Sequence, residues 1–348
     1  MPSQAASIPD LFLHRARVRD HDELASLVRG LQCEFIQPDP GAFKAEFTGL
    51  RLQDATVQFI QTPLRYVCKG IPSGDRMMFL FSMKMQPEFA WKGQVLDPRA
   101  IIFLPPQAEH HKINPANSWC AAVSLERAPL EKALGSLSGS EPVLNLQTSR
   151  VLLPEAGAFE ALRRRLEAVH AAIALDPSFL TVPEARRGLE ESVLSALMPA
   201  LGTASRVRPA GYGTVTTARV VRQVEEFLSA TLGEPLYLAD LCAAAGVGER
   251  TLRYIFQGRY GISPIRYLKL RRLHQIRRAL NRADPDLNTV QSIANRCGIW
   301  HLGRFAQEYK SFFRETPLET LSKACLLGER GSNEPRLAGP PDGSLLLS

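Results

Sequence analysis

Arg250, Thr251, Arg253 and Tyr254 form one cluster of hydrogen-bonding side chains at helical spacing, and His301, Arg304, Gln307 and Lys310 form a second. Such residue types at such spacing suit the reading of double-stranded DNA. An arginine offers two donors that match O6 and N7 of guanine, a pairing worth about 1–3 kcal/mol of discrimination, while a lysine is a point charge for a backbone phosphate. Between the polar positions run Leu252, Ile255 and Phe256 in the first cluster and Phe305, Tyr309 and Phe312 in the second, an apolar stripe that belongs to a buried face. The polar residues are therefore the readers and the apolar ones the scaffold.

To reach base edges, each cluster must open a helix that a preceding helix braces against the duplex. The chain writes that device twice between Leu238 and Pro317. LADLCAAAGV has apolar residues at helical spacing and then Gly246, after which ERTLRYIFQGRYG runs as a second helix. VQSIANRCGI repeats this with Gly298, followed by WHLGRFAQEYKSFFRETP. A glycine between two helices supplies the left-handed backbone of a tight turn, so both stretches read as helix-turn-helix units. Between them IRYLKLRRLHQIRRAL continues a helix of some 17 residues from Pro264, a strut of ~25 Å that spaces two readers along a duplex face. Its Arg271, Arg272, Arg277 and Arg278 are either phosphate contacts or a solvated, salt-bridged face, and the second reading is expected for about half of them.

Charge points to the same segment. Of 42 Lys and Arg, 17 lie between Thr217 and Cys325, and of 35 Asp and Glu, 10 lie there, so the remainder holds 25 of each sign and the whole excess of +7 sits on the doubled motif. A localised basic excess is the electrostatic footprint of a polyanion binder.

These residues resemble the DNA-binding domain of the AraC/XylS-type transcription regulators over roughly Thr217 to Cys325. The resemblance rests on the turn Gly261-Ile262-Ser263-Pro264 that closes the first unit, the connecting helix after it, and the FFRETP ending of the second unit. The WHLGRFAQEY run and the PLETL after it are most similar to the branch containing the ethanolamine-utilisation operon regulator. Three positions depart from the family pattern. Gly248 replaces a capping serine, Leu302 and Gly303 stand where many members carry polar readers, and Arg314 replaces a glycine. The first reader is thus the stronger candidate for base recognition. The resemblance implies a cupin-like β-barrel at the N-terminus that binds a small-molecule effector, RNA polymerase and promoter DNA as partners, and an activator. The ethanolamine branch implies a small polar amine or related metabolite as effector.

The rest of the chain fits that division. Residues 1–32 read as a leader with one short helix over Asp20–Leu31. From 33 to 128, runs such as ATVQFIQ, LRYVCKG, MMFLFSMKM, RAIIFLPP and CAAVSL are strand-like and separated by Pro, Gly, Asp and Ser, the signature of a β-sandwich or barrel. The fold class expected is α+β: a cupin-like sensor barrel with flanking helices, then an all-α domain with two helix-turn-helix motifs. Arg65, Tyr66, Phe81, Glu88 and Trp91 are the candidates for effector contact, against the plainer reading that most such aromatics are core. His110 and His111 are adjacent, so on a strand they point to opposite faces, and with no HxH and following Glu they are read as surface or loop residues, not metal ligands. No catalytic residue, metal or other cofactor is expected, and a cupin-type enzyme ranks below a regulator.

Residues 129–201 turn helical. Phe159, Leu162, Leu166, Val169 and Ile173 make one stripe, which buries either on the barrel or in a homodimer. Residues 202–217 read as a linker, 218–325 as the DNA-binding domain, and 326–348, rich in Gly, Pro and Ser, as a disordered tail. Six scattered cysteines without a CxxC pair fit a reducing compartment, and no apolar run approaches the ~20 residues of a membrane span, so a cytoplasmic location is expected. The alternative to effector control is a constitutive or partner-controlled regulator whose barrel is packed solid.

Overall fold

The computed structural model describes residues 12–85, 89–135, 146–207, 215–231 and 236–323. The chain opens with β1 (Leu13–Val18) and α1 (His21–Leu27), the latter capped by the Asp20 carboxylate, which accepts from the Asp22 and Glu23 amides at 2.8 and 3.4 Å. Ten strands follow with short connections: β2 (Leu31–Ile36), β3 (Ala45–Arg51), β4 (Ala55–Thr62), β5 (Tyr66–Pro72), β6 (Arg76–Ser82), β7 (Ala90–Trp91), β8 (Gln94–Val95), β9 (Ile101–Leu104), β10 (His110–Asn114) and β11 (Ser118–Glu126). Next come α2 (Arg127–Gly135), β12 (Arg150–Leu153), α3 (Ala156–Leu175), α4 (Pro183–Gly202) and β13 (Ser205–Val207). Six helices complete the described chain: α5 (Val215–Ala230), α6 (Leu238–Ala245), α7 (Glu249–Tyr260), α8 (Pro264–Arg282), α9 (Val290–Arg296) and α10 (Leu302–Phe313).

The strands form two antiparallel sheets. One has eight strands in the order β1-β3-β4-β11-β6-β9-β12-β13, the other five in the order β2-β5-β10-β7-β8. The protein is therefore α+β, with sheets first and helices last. No pairing among the described residues joins the two sheets into a closed barrel.

Strand alternation builds the layers. On β6, Met77, Phe79 and Phe81 face a core with Phe159, Leu162, Leu166, Val169 and Ile173 of α3, whereas Met78 and Leu80 face the five-stranded sheet. Helices α3 and α4 thus cover the outer face of the large sheet, and the α3 stripe is consumed within the chain. The small sheet is buried on both sides as well. Leu31, Phe35, Tyr66, Cys68 and Trp91 point into the space between the sheets, while Ile36, Val67, Ala90 and Ile113 join the core of the C-terminal helices. Four layers result: helices, large sheet, small sheet, helical domain.

Three sequence expectations change here. The stretch read as a leader contains β1, which pairs with β3 from Leu13↔Leu50 to Val18↔Ala45. His110 and His111 are not surface residues but part of β10, buried because that strand lies between the sheet interior and the helical domain. Within the stretch read as a linker, Ser205–Val207 extends the large sheet against β12. The proposed tail, 326–348, lies outside the described residues.

Ion pairs fasten the helical domain to the small sheet. On α8, Arg278 reaches Asp22 at 2.9 Å and Glu34 at 2.8 Å, Arg277 reaches Asp20 at 3.4 Å and Glu315 at 3.0 Å, and His274 donates to the Gln37 carbonyl at 3.2 Å. Glu225 on α5 accepts from the Tyr260 and Tyr267 hydroxyls and pairs with Lys69 of β5 at 3.3 Å and Arg271 at 3.6 Å. Burial would raise the Glu34 carboxyl, but Lys69 and Arg278 outweigh it and hold the group at about 2. Glycine is required where the β7–β8 turn meets α7. Gly93 has φ +84°, and a Cβ there would lie 3.1 Å from the Gly258 carbonyl oxygen.

Buried imidazoles make stability pH-dependent. Burial holds His274 at about 4 and His110 at about 3, against 6.5 when exposed, and lowers His21 and His111 also. The folded state then binds fewer protons than the unfolded state below the exposed value, so stability is complete above 6.5 and is lost as pH falls toward 4. Glu34 adds a further loss below 4.5. Urea midpoints measured across this range should be level on the alkaline side and decline steadily from about 6.5 downward; a level midpoint through pH 5 would show that these imidazoles are solvated.

Candidate DNA-binding surface and interior cavity

Each helix-turn-helix unit follows from its own residues. In the first, α6 ends at Gly246 with φ 62°, where the left-handed backbone favours glycine, and α7 opens after Gly248 without a side-chain cap. In the second, Thr289 caps α9 by accepting from the Ser292 amide at 3.1 Å, Gly298 turns at φ 74°, and α10 begins at Leu302. Ser263 caps α8 from the residue before Pro264, accepting from the Arg266 amide at 3.3 Å. Arg314 takes the glycine-like conformation that closes α10, with φ 62°. An arginine in this left-handed conformation carries strain of about 1–2 kcal/mol.

The scaffold stripes fall in the core: Leu252, Ile255 and Phe256 of α7, and Phe305, Tyr309 and Phe312 of α10, are buried together. All eight candidate readers are exposed on the opposite faces. Arg250, Thr251, Arg253 and Tyr254 share the first turns of α7, and His301, Arg304, Gln307 and Lys310 run along α10. Arg253 is tethered to Glu249 at 2.6 Å, and Arg304 to Glu308 at 3.2 Å. Glu308 also takes Lys269 of α8 at 2.9 Å, which fixes the second reader to the strut. The strut is 19 residues long, about 28 Å. Three of its four flagged arginines, Arg271, Arg277 and Arg278, are spent inside the protein on Glu225, Asp20, Glu315, Asp22 and Glu34. Arg272 lies instead in a groove with Tyr237, Ile265 and Trp300 between the two units.

Of the five effector candidates, Tyr66 lines a cavity between the two sheets. Phe81 packs edge-on against Phe159 of α3, on the other side of the large sheet. Arg65 pairs with Asp39, donating at 2.9 Å from both Nε and Nη2, and lies against Gly261 at the contact with the helical domain. Trp91 is buried between the sheets beside the cavity residues but does not line it, and Glu88 lies outside the described residues. The residues missed by sequence reading are His110, Lys112, Asn114 and Cys120, which share the cavity wall. Their signal was the alternation in HHKIN, polar at every second position of a strand.

Lys112 is 4% exposed. It donates to the Cys120 sulfur at 3.3 Å and sits 4.5 Å from the Phe89 ring centre, and the Cys120 thiol donates to the Asn114 carboxamide oxygen at 3.0 Å. No carboxylate among the described residues pairs with it. An unpaired buried charge of this kind costs several kcal/mol. Among the described residues no group of three or more His, Cys, Asp or Glu is placed to hold a metal ion, and no helix is long and apolar enough to cross a membrane.

Comparison with known proteins agrees with this geometry. The helix-turn-helix domain family matches residues 241–323. The chain is 34% identical over 212 residues to a probable thc operon regulatory protein of Rhodococcus erythropolis, covering 58% of this chain and 60% of that protein. It is 30% identical over 141 residues to a XylDLEGF operon transcriptional activator of Pseudomonas putida, covering 40% and 43%. The chain thus spans less than two thirds of the length of these relatives. Among solved structures, the AraC-like transcriptional activator CuxR aligns over 75% of this chain and 94% of its own, with 15% identity and a TM-score of 0.39.

Two substitutions separate reading from anchoring. Arg253→Ala is expected to relax discrimination at one or two bases by about 1–3 kcal/mol, whereas Lys310→Ala weakens specific and random duplex alike and lowers the salt slope by about one. Anisotropy titrations at several salt concentrations check both; unchanged affinity, specificity and slope in the pair would show that these helices do not meet DNA. Arg314→Gly relieves the left-handed strain and should raise unfolding stability by about 0.5–1 kcal/mol in urea melts.

Proposed function

We propose that the protein is a sequence-specific DNA-binding transcription regulator of the AraC/XylS type, an activator working in the cytoplasm, controlled by a small molecule in its N-terminal sheet domain. The observation that carries this reading is the pair of helix-turn-helix units, each presenting exposed polar and basic side chains on one helix while its apolar stripe is buried. Names of the relatives support it, since both the thc operon protein and the XylDLEGF activator are described as operon regulators. The N-terminal sheets serve as the sensor in this reading, in the place of the cupin-like barrel that the resemblance implies.

Positioning favours the first reader for base recognition. Arg250 and Arg253 supply donors for guanine, and Lys310 holds a phosphate. The second reader presents Leu302 and Gly303 at its start, which offer no hydrogen-bonding side chain to a base edge. RNA polymerase is the natural partner for the exposed Trp300, 73% accessible beside the groove between the units. A second reading, control by a partner protein without an effector, is favoured by the small size of the interior cavity.

In vitro selection of duplexes from random sequence followed by affinity measurement tests the proposal. A single enriched motif, bound at least about 10³-fold more tightly than random duplex at physiological salt, is the expected result. Equal affinity for selected and random DNA would reduce the protein to a non-specific polyanion binder and end the regulator reading.

A further inference from the structure

We propose that the cavity between the two sheets is a binding site for a short-chain carboxylate, with Lys112 as its counter-ion. The proposal rests on the effector-control reading above and names the chemical class that control would use. Lys112 is almost completely buried, yet the partners of its ammonium are a thiol sulfur at 3.3 Å and the Phe89 ring face, both neutral. No carboxylate among the described residues pairs with it, and a cation held in a low-dielectric interior in this way is under strong pressure to recruit an anion. The same charge repels an amine, so the ligand class differs from the one implied by the ethanolamine branch.

A second group points into the same space. His110 lines the cavity two residues along β10, is buried, and its Nδ1 has no hydrogen-bond partner. Burial, followed by the neighbouring Lys112, Lys92 and Arg259 charges, holds this imidazole at about 3, so it is neutral and can donate one N–H. An ammonium and an imidazole N–H together satisfy the two oxygens of one carboxylate. Leu31, Phe35, Ile60 and Leu80 form the apolar part of the wall and suit an alkyl tail. The cavity volume is about 50 Å³. That is room for roughly three to five water-sized groups, which fits acetate or propionate and is too little for a sugar.

Strand β10 links this site to the DNA-binding helices. His110, Lys112 and Asn114 face the cavity, and the residues between them face the other way. His111 packs edge-on against Tyr260 of α7 at 5.0 Å, and Ile113 belongs to the helical domain's core. Neutralising Lys112 shifts the strand that supports the end of α7, whose opposite end carries Arg250 and Arg253.

The test is thermal unfolding of the full chain with sodium acetate or propionate at constant ionic strength, against propionamide as the neutral isostere. The wild-type midpoint should rise saturably with a carboxylate, by roughly 5 °C at 100-fold excess over Kd, and should ignore propionamide. Lys112→Met removes the unpaired charge at similar volume, so it should start from a higher midpoint and lose the response. Asn114→Asp supplies an internal carboxylate beside Cys120 with almost no change in size, and should lose the response too. No rise with either acid, an equal rise with propionamide, or a response that survives in both variants would overturn the site. DNA affinity measured in the same series separates the two readings. A carboxylate that raises the midpoint without altering DNA affinity leaves the anion site standing and sinks effector control, whereas an affinity change present in the wild type and absent in Lys112→Met supports both.

Discussion

Double-sided burial of the five-stranded sheet is the constraint on which the other features depend. A strand sends successive side chains to opposite faces, so β2, β5, β7 and β10 each carry two interleaved sets of contacts. One set fills the space between the sheets, and the other meets the helical domain. Shifting any of these strands by one residue would exchange the sets and place Lys69, Glu34 and His111 in the interior. Register is therefore locked by two cores at once. A structure of this kind has no passive layer between its N-terminal half and its helical half.

Charge is distributed by the same arrangement. The basic excess of the C-terminal segment is a property of composition, yet the fold divides it into two populations. Arg271, Arg277 and Arg278 on the inner side of α8 are matched with Glu225, Asp20, Glu315, Asp22 and Glu34, several of them from the N-terminal half. Arg250, Arg253, Arg304 and Lys310 remain at the surface, two of them in weak tethers to a glutamate four residues along. Exposed pairs of that type are worth less than about 1 kcal/mol, so they orient the guanidinium without preventing its transfer to a base or phosphate. Inner arginines hold the domain in place and outer ones are free to act on a partner.

Much of the helical domain was legible in the sequence because its signals are local. The glycines at 246 and 298, the Ser263-Pro264 start and the apolar stripes of α7 and α10 each depend on neighbours within a few residues, and the structure places them as read. The stripe of α3 was legible in the same way, but its partner was not, since a sheet and a second subunit present the same apolar demand. Strand β10 was read as a loop because HHKIN has a single apolar residue, whereas β6 and β9 announce themselves by continuous apolar runs. Arg65 and Phe81 were plausible effector contacts by type, and the fold spends them on Asp39 and on α3.

What the sequence by itself determined is the doubled helix-turn-helix device, its strut and its concentration of positive charge, because caps, turns and 3.6-residue stripes are short-range properties of the chain. What only the tertiary structure decided is which arginines are available and which side chains share the interior. Lys112 and His110 meet Tyr66 and Cys120 only after strands distant in sequence have paired and two sheets have closed on one another. Such meetings depend on long-range register, which no local pattern encodes.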